Sequence, residues 1–115
     1  MRRFVSPLFL FAAVLIFVSC KKDPEITGLP EIYYQTDIKP IINSQCTMCH
    51  SEYSTYNGLM SIVTKGKPEK SELYNVITNP WALIRMPRDK EPLTKDQRTL
   101  IHLWILQGAP NDSIQ

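Results

Sequence analysis

The chain predicts an all-α domain of three to four short helices joined by long ordered loops, and three observations carry that expectation. Apolar residues recur at spacings of three and four in several windows, as on one face of a 3.6-residue helix. Those windows open at Ser, Thr or Asp residues able to cap a helix, and the last closes on Gly108 with Pro110 behind it. No stretch alternates strictly between apolar and polar residues, so none has the period of a half-buried strand.

Residues 1–19 stand apart from that domain. Arg2 and Arg3 form a positive start, Leu8 to Val18 is almost wholly apolar, and the small Ser19 precedes Cys20, the layout of a secretory signal with its cleavage site. The apolar run falls short of the roughly 20 residues that span a bilayer comfortably. Residues 20–33 are polar, carry Pro24, Gly28 and Pro30 and show no period. They read as a tether, which leaves 34–115 as the folded domain.

The first helix is expected to start near Thr36 or Asp37 as N-cap, with Pro40 in the first turn, where a missing N–H does little harm. Ile38, Ile41 and Ile42 share one face of it, and it runs directly into Cys46. Residues 51–70 are mixed. Gly58, Gly66 and Pro68 act there as breakers, and Leu59 to Val63 offers one or two helical turns. Ser71 is the expected N-cap of a helix through Leu73, Tyr74, Val76 and Ile77 that ends before Asn79-Pro80. Pro80, Pro87 and Pro92 keep residues 79–93 from forming a continuous helix. The last helix is the best marked: Thr94 and Gln97 make a capping box, and Leu100, Ile101, Trp104 and Ile105 make an apolar stripe.

Between the first and second of these helices stands Cys46-Thr47-Met48-Cys49-His50, a Cys-x-x-Cys-His run that reads as the attachment motif of a c-type haem. Two thiols one helical turn apart reach the neighbouring vinyl groups of one porphyrin, and a histidine directly after the second thiol falls beneath the iron. Cys46 and Cys49 then form thioethers and His50 is the first axial ligand. A structural zinc site would want four ligands, usually from two separated pairs, and only the distant His102 is left to complete one. A thioredoxin-like dithiol would want a preceding strand in a βαβ pattern, which this sequence lacks.

Four side chains compete for the sixth iron position. Met48 lies within the motif on the proximal side. Met60 follows His50 by only ten residues, so its segment would have to run nearly extended around the haem edge. His102 lies roughly 130° from the centre of the last helix's stripe at about 100° per residue, toward solvent or a shallow flank. Met86 sits in the proline-broken loop, biased toward extended backbone by Pro87 and flanked by Trp81, Leu83 and Ile84. It is the favoured ligand, against the plainer role of a methionine filling a gap in the core. A His/Met pair raises the reduction potential and leaves the iron no ready place for a substrate. The expectation is therefore an electron carrier rather than an enzyme. A haem-based sensor or peroxidase-like enzyme with a displaceable Met86 is the competing expectation.

The formal net charge is +2, from 13 Lys and Arg against 11 Asp and Glu. Losing Arg2 and Arg3 on processing leaves the mature chain near neutral, and nothing resembles the basic stripe that a nucleic-acid partner requires. Arg85, Arg88 and Lys90 would either steer an acidic redox partner or face solvent.

The segment Phe17-Val18-Ser19-Cys20 resembles a bacterial lipoprotein signal, although it lacks the usual leucine at its first position. That resemblance implies lipidation of Cys20, and a chain held on the periplasmic side of a membrane or at the outer membrane. The domain resembles small single-haem bacterial cytochromes c of the class I fold, from about Tyr34 to Asn111. The likeness rests on Asp37-Ile38-x-Pro40-Ile41 ahead of Cys46-x-x-Cys49-His50, on Gly66-x-Pro68-x-x-Ser71-x-Leu73-Tyr74 and on Arg85-Met86-Pro87. Pro92-Leu93-Thr94 leading to Ile101-x-x-Trp104-Ile105-x-x-Gly108-Ala109-Pro110 completes it. It implies one covalent haem c, wrapped by the short helices and loops, with His50 and Met86 as its axial pair. It also implies haem attachment after export, redox proteins as partners, and a first helix crossing the last near Trp104.

Overall fold

The computed structural model describes residues 28–112, so the signal segment, Cys20 and most of the tether lie outside the described residues. The domain is all-α. A π-helical segment, Tyr34–Ile38, leads into α1 (Lys39–Gln45), followed by α2 (Tyr56–Met60), α3 (Glu72–Thr78) and α4 (Lys95–Leu106). Short 3₁₀ turns at Ser51–Ser54 and Pro68–Lys70 precede α2 and α3. No strand occurs among the described residues.

The first helix begins earlier than Thr36, and Asp37 explains why. Its Oδ2 accepts from the backbone N–H of Tyr33 at 2.8 Å, so the residue expected to open the helix instead reaches back to hold the turn before it. The next N–H groups, of Tyr34 and Gln35, donate to Pro110 and Asn111 carbonyls at 3.0 and 3.1 Å. These are the orphan donors that every helix start must satisfy. Pro40 follows this π turn within the first two positions of α1. It has no N–H to offer, and its ring would press on the carbonyl four residues back.

Two further expectations shift. Helix α2 starts at Tyr56, capped by Thr55, whose Oγ1 accepts from Gly58 N–H at 3.1 Å. Gly58 is thus inside a helix and does not break one. Ser71 does stand at the N-cap of α3 but makes no capping bond. Its buried hydroxyl accepts from Thr64 N–H at 2.9 Å and donates to Lys67 O at 3.0 Å, tying down the preceding loop. The capping box of α4 is formed in both halves, Gln97 N–H to Thr94 Oγ1 at 3.2 Å and Thr94 N–H to Gln97 Oε1 at 3.0 Å.

The apolar stripes meet in one core. Ile38, Ile42, Leu59, Ile77, Ile101, Trp104 and Ile105 are buried together, with Tyr34 and Leu73 among them. Each aliphatic side chain removed from water contributes about 1.5–3 kcal/mol. The first and last helices meet where the Tyr34 ring approaches Trp104, centroids 6.2 Å apart, with Tyr56 set edge-on to Tyr34 at 5.4 Å. Trp104 Nε1–H donates to Pro110 O at 2.9 Å. Gly108 ends α4 at φ +93°, a left-handed conformation that favours glycine.

Candidate functional site

Helix α1 ends at Gln45 with Cys46 as its C-cap, whose N–H donates to Ile42 O at 2.8 Å. The chain then closes one more turn: Cys49 and His50 N–H both donate to Cys46 O, at 3.2 and 2.9 Å. Those bonds hold both thiols and the imidazole on a single turn. Cys46 and Cys49 are free thiols, the first half-buried and the second exposed. Burial pushes the Cys46 thiol up, with the positive charge of Lys90 opposing it. Met48 stands at the tip of the turn, 80% exposed.

His50 is held from two sides. Its Nδ1 lies 3.2 Å from Glu52 Oε1, and its ring stacks on Tyr53 at 5.2 Å with 21° between the planes. Glu52's own backbone N–H, and then His50, hold the Glu52 carboxyl below the usual carboxylate range. Burial, then Glu52, Glu72 and Cys46, push the Tyr53 phenol up. Glu52 is in place because the backbone of α2 comes very close to it. A Cβ on Gly58 would overlap the Glu52 carbonyl oxygen and lie 2.9 Å from its carbon.

The loop between α3 and α4 carries the second part of the candidate site. Met86 is half-buried, and its N–H donates to Val76 O at 2.9 Å, which fixes its backbone to α3. Arg85 and Ile84 N–H fold back on Trp81 O at 2.9 and 3.0 Å. Trp81, Leu83 and Ile84 stand in solvent, 72%, 86% and 55% exposed. Three large apolar side chains within four residues are unusual on a free surface. One Arg88 nitrogen donates to Leu83 O at 3.3 Å, so that guanidinium is partly engaged within its own loop.

The structure thus brings Cys46, Cys49 and His50 together on one turn, with Lys90 of the Met86 loop in electrostatic reach of Cys46. Among the described residues no hydrogen bond or ring contact joins Met86 itself to that turn. Nor do three His, Cys, Asp or Glu side chains converge there as a bare-ion site. Met60 packs half-buried against the core. His102 lies on a flank of α4, its ring edge-on to Tyr74 at 5.1 Å. In the sequence Glu52 is marked by nothing more than a carboxylate two residues beyond His50, and Gly58, expected as a breaker, instead permits the close approach of α2 to Glu52.

These residues fit a covalently held haem. The two thiols are one turn apart, and the imidazole is held through Nδ1 by Glu52. Trp81, Leu83 and Ile84 present an apolar surface on the loop between α3 and α4. Comparison of the chain with known protein families, curated proteins and solved structures returned no match.

Proposed function

We propose that this chain is a membrane-tethered, mono-haem c-type cytochrome of the class I fold that passes single electrons between redox proteins. The observation that carries the reading is the Cys46-x-x-Cys49-His50 turn with His50 Nδ1 held by Glu52. Cys46 and Cys49 would hold the haem by thioethers, and His50 Nε2 and the Met86 sulfur would bind its iron. When bound, the group supplies a reversible one-electron couple whose potential a His/Met pair raises.

The chain's own residues set the conditions for that couple. Glu52 on Nδ1 orients the imidazole and makes its other nitrogen a stronger donor. The Val76 carbonyl restrains the backbone of Met86. Trp81, Leu83 and Ile84 would cover an apolar ring face and keep water from it, disfavouring the more highly charged oxidised state. Lys90 places positive charge near the thiol turn, suited to an acidic partner. The meeting of the first and last helices at Tyr34 and Trp104 supports the fold, and the signal-like segment ending at Cys20 supports the lipid anchor and an exported location.

The test is an optical spectrum of exported protein, oxidised and reduced, beside the double variant Cys46→Ser, Cys49→Ser. Haem that survives denaturation in the wild type, vanishes in the double variant, and shows the weak red band of methionine on ferric iron is the expected result. A stable, colourless, helical double variant would refute the cofactor's structural role. Ready binding of carbon monoxide by the reduced wild type would favour a sensor or peroxidase-like enzyme with displaceable Met86.

A further inference from the structure

A second site lies apart from the thiol turn, in a cleft of about 300 Å³ between α3 and the first turns of α4. Its lining is Tyr74 and Thr78 from α3 with Lys95, Arg98, Thr99 and His102 from α4. Lys95, Arg98 and His102 share one face of the helix at spacings of three and four, and no carboxylate lines the cleft. Cations so early in a helix oppose its dipole, so local helix chemistry does not account for them. Asp96, the acidic residue of that turn, is exposed and outside the lining.

The hydrogen bonds divide the lining into spent and unspent groups. Thr78 Oγ1 donates to Tyr74 O at 2.7 Å, and Thr99 Oγ1 donates to Lys95 O at 2.9 Å, so both hydroxyl protons are committed to their own helices. Arg98 Nε and His102 Nδ1 are buried and have no partner. Buried polar atoms of this kind are nearly always satisfied in folded proteins. A single water would satisfy one N–H but would not balance the charges of Lys95 and Arg98.

We infer that this cleft binds a phosphate group, carried by a free small molecule or by a lipid headgroup. The charges of Lys95 and Arg98, with the His102 ring beside them, suit the nearly doubly charged, three-oxygen phosphate monoester better than a singly charged carboxylate. Charge-assisted bonds from Arg and Lys are the strong ones for such a ligand. The Tyr74 ring, edge-on to His102, supplies an apolar wall for a substituent. The volume lies at the small end of ligand pockets, which suits a phosphate with a small attached group.

The test uses the haem-loaded chain carrying Cys20→Ala and freed of residues 1–19, so that neither a lipid nor the apolar leader contributes to binding. Inorganic phosphate is titrated calorimetrically at low ionic strength, and vesicles with and without phosphatidic acid are sedimented with the protein. Saturable phosphate binding that weakens at least tenfold in Arg98→Gln and less in Arg98→Lys, with Lys65→Gln unchanged, is expected for a free ligand. The same Arg98 dependence confined to phosphatidic acid vesicles assigns a headgroup. Lys95→Gln gives an independent reading should Arg98→Gln fail to fold. Absence of both kinds of binding, or equal weakening by Lys65→Gln, overturns the inference. The haem spectrum is recorded alongside and stands or falls separately.

Discussion

Replacing Gly58 by Ala sets two effects of opposite sign against each other. Gly58 lies inside α2, where helix propensity alone favours alanine by about 1 kcal/mol. The added Cβ, however, would overlap the carbonyl oxygen of Glu52 and sit 2.9 Å from its carbon and 3.1 Å from Thr55 Oγ1. The obstacle is backbone, which cannot rotate away as a flexible side chain would. Restoring an ordinary carbon-to-oxygen contact of about 3.3 Å requires the Glu52 carbonyl and the turn around it to move by roughly 1.5 Å. Overpacking of that kind costs about 1–3 kcal/mol, and a rigid obstacle places it toward the upper end. A net loss of about 1–2 kcal/mol remains after the propensity gain, or a fall in melting temperature of roughly 4–16 °C for a domain this size. The 3.2 Å contact from Glu52 to His50 Nδ1 is already at the long limit of a hydrogen bond and would break with the shift. Thermal unfolding followed by far-ultraviolet circular dichroism measures the first effect, and the ¹⁵N signals of the His50 ring report the second. A melting temperature equal to or above the wild type would refute the close approach of α2 to Glu52.

Met86→Ala is expected to lower the reduction potential by removing the soft sulfur ligand and to admit carbon monoxide to the reduced protein, whereas Met60→Leu leaves potential and spectrum nearly unchanged; voltammetry and optical titration check both. Cys20→Ala should move the haem domain from the membrane fraction to the soluble one or leave an unprocessed precursor, as detergent partitioning will show, and lipid-free wild type in the aqueous phase would defeat the anchor. In haem-free chain, iodoacetamide should label exposed Cys49 before half-buried Cys46, whose thiol is pushed up by burial; peptide mapping over time gives the order. The same shift carries a sign: the folded apo-chain holds the Cys46 proton longer than the unfolded one, so its contribution to stability is full below the unfolded thiol's value of about 8.5 and fades as pH rises through the folded value. Denaturation midpoints that rise across that alkaline window would contradict it.

The helices were legible where periodicity and capping coincide. Thr94 and Gln97 specify both ends of a reciprocal bond by their spacing, so α4 could be placed from the sequence. Ser71 marked the right position for a different reason, because its hydroxyl found partners across the Thr64 to Lys67 loop that no local pattern encodes. Asp37 and Gly58 misled for related reasons. A carboxylate can cap backward as well as forward, and a glycine tolerated for close approach looks in sequence like one that ends a helix. Of the candidate site, the thiols and His50 are contiguous and could be read directly. Glu52 needed the turn's geometry, and Met86 lies on a separate loop whose relation to His50 depends on tertiary packing.

The bonds joining the two ends of the domain determine how it is carried. Tyr34 and Gln35 N–H reach Pro110 and Asn111, while Gln107 binds Pro30 O at 2.8 Å through Nε2 and Ile32 N–H at 2.9 Å through Oε1. Both chain directions therefore leave from one corner. The twelve residues from Tyr34 to Gln45 separate that corner from Cys46 by about 18 Å at 1.5 Å per helical residue. On the proposed lipid tether such a domain would be a lamp on a stalk, with the thiol turn held away from the mounting, and a neighbour fused at either terminus would arrive at the stalk and leave that turn unobstructed.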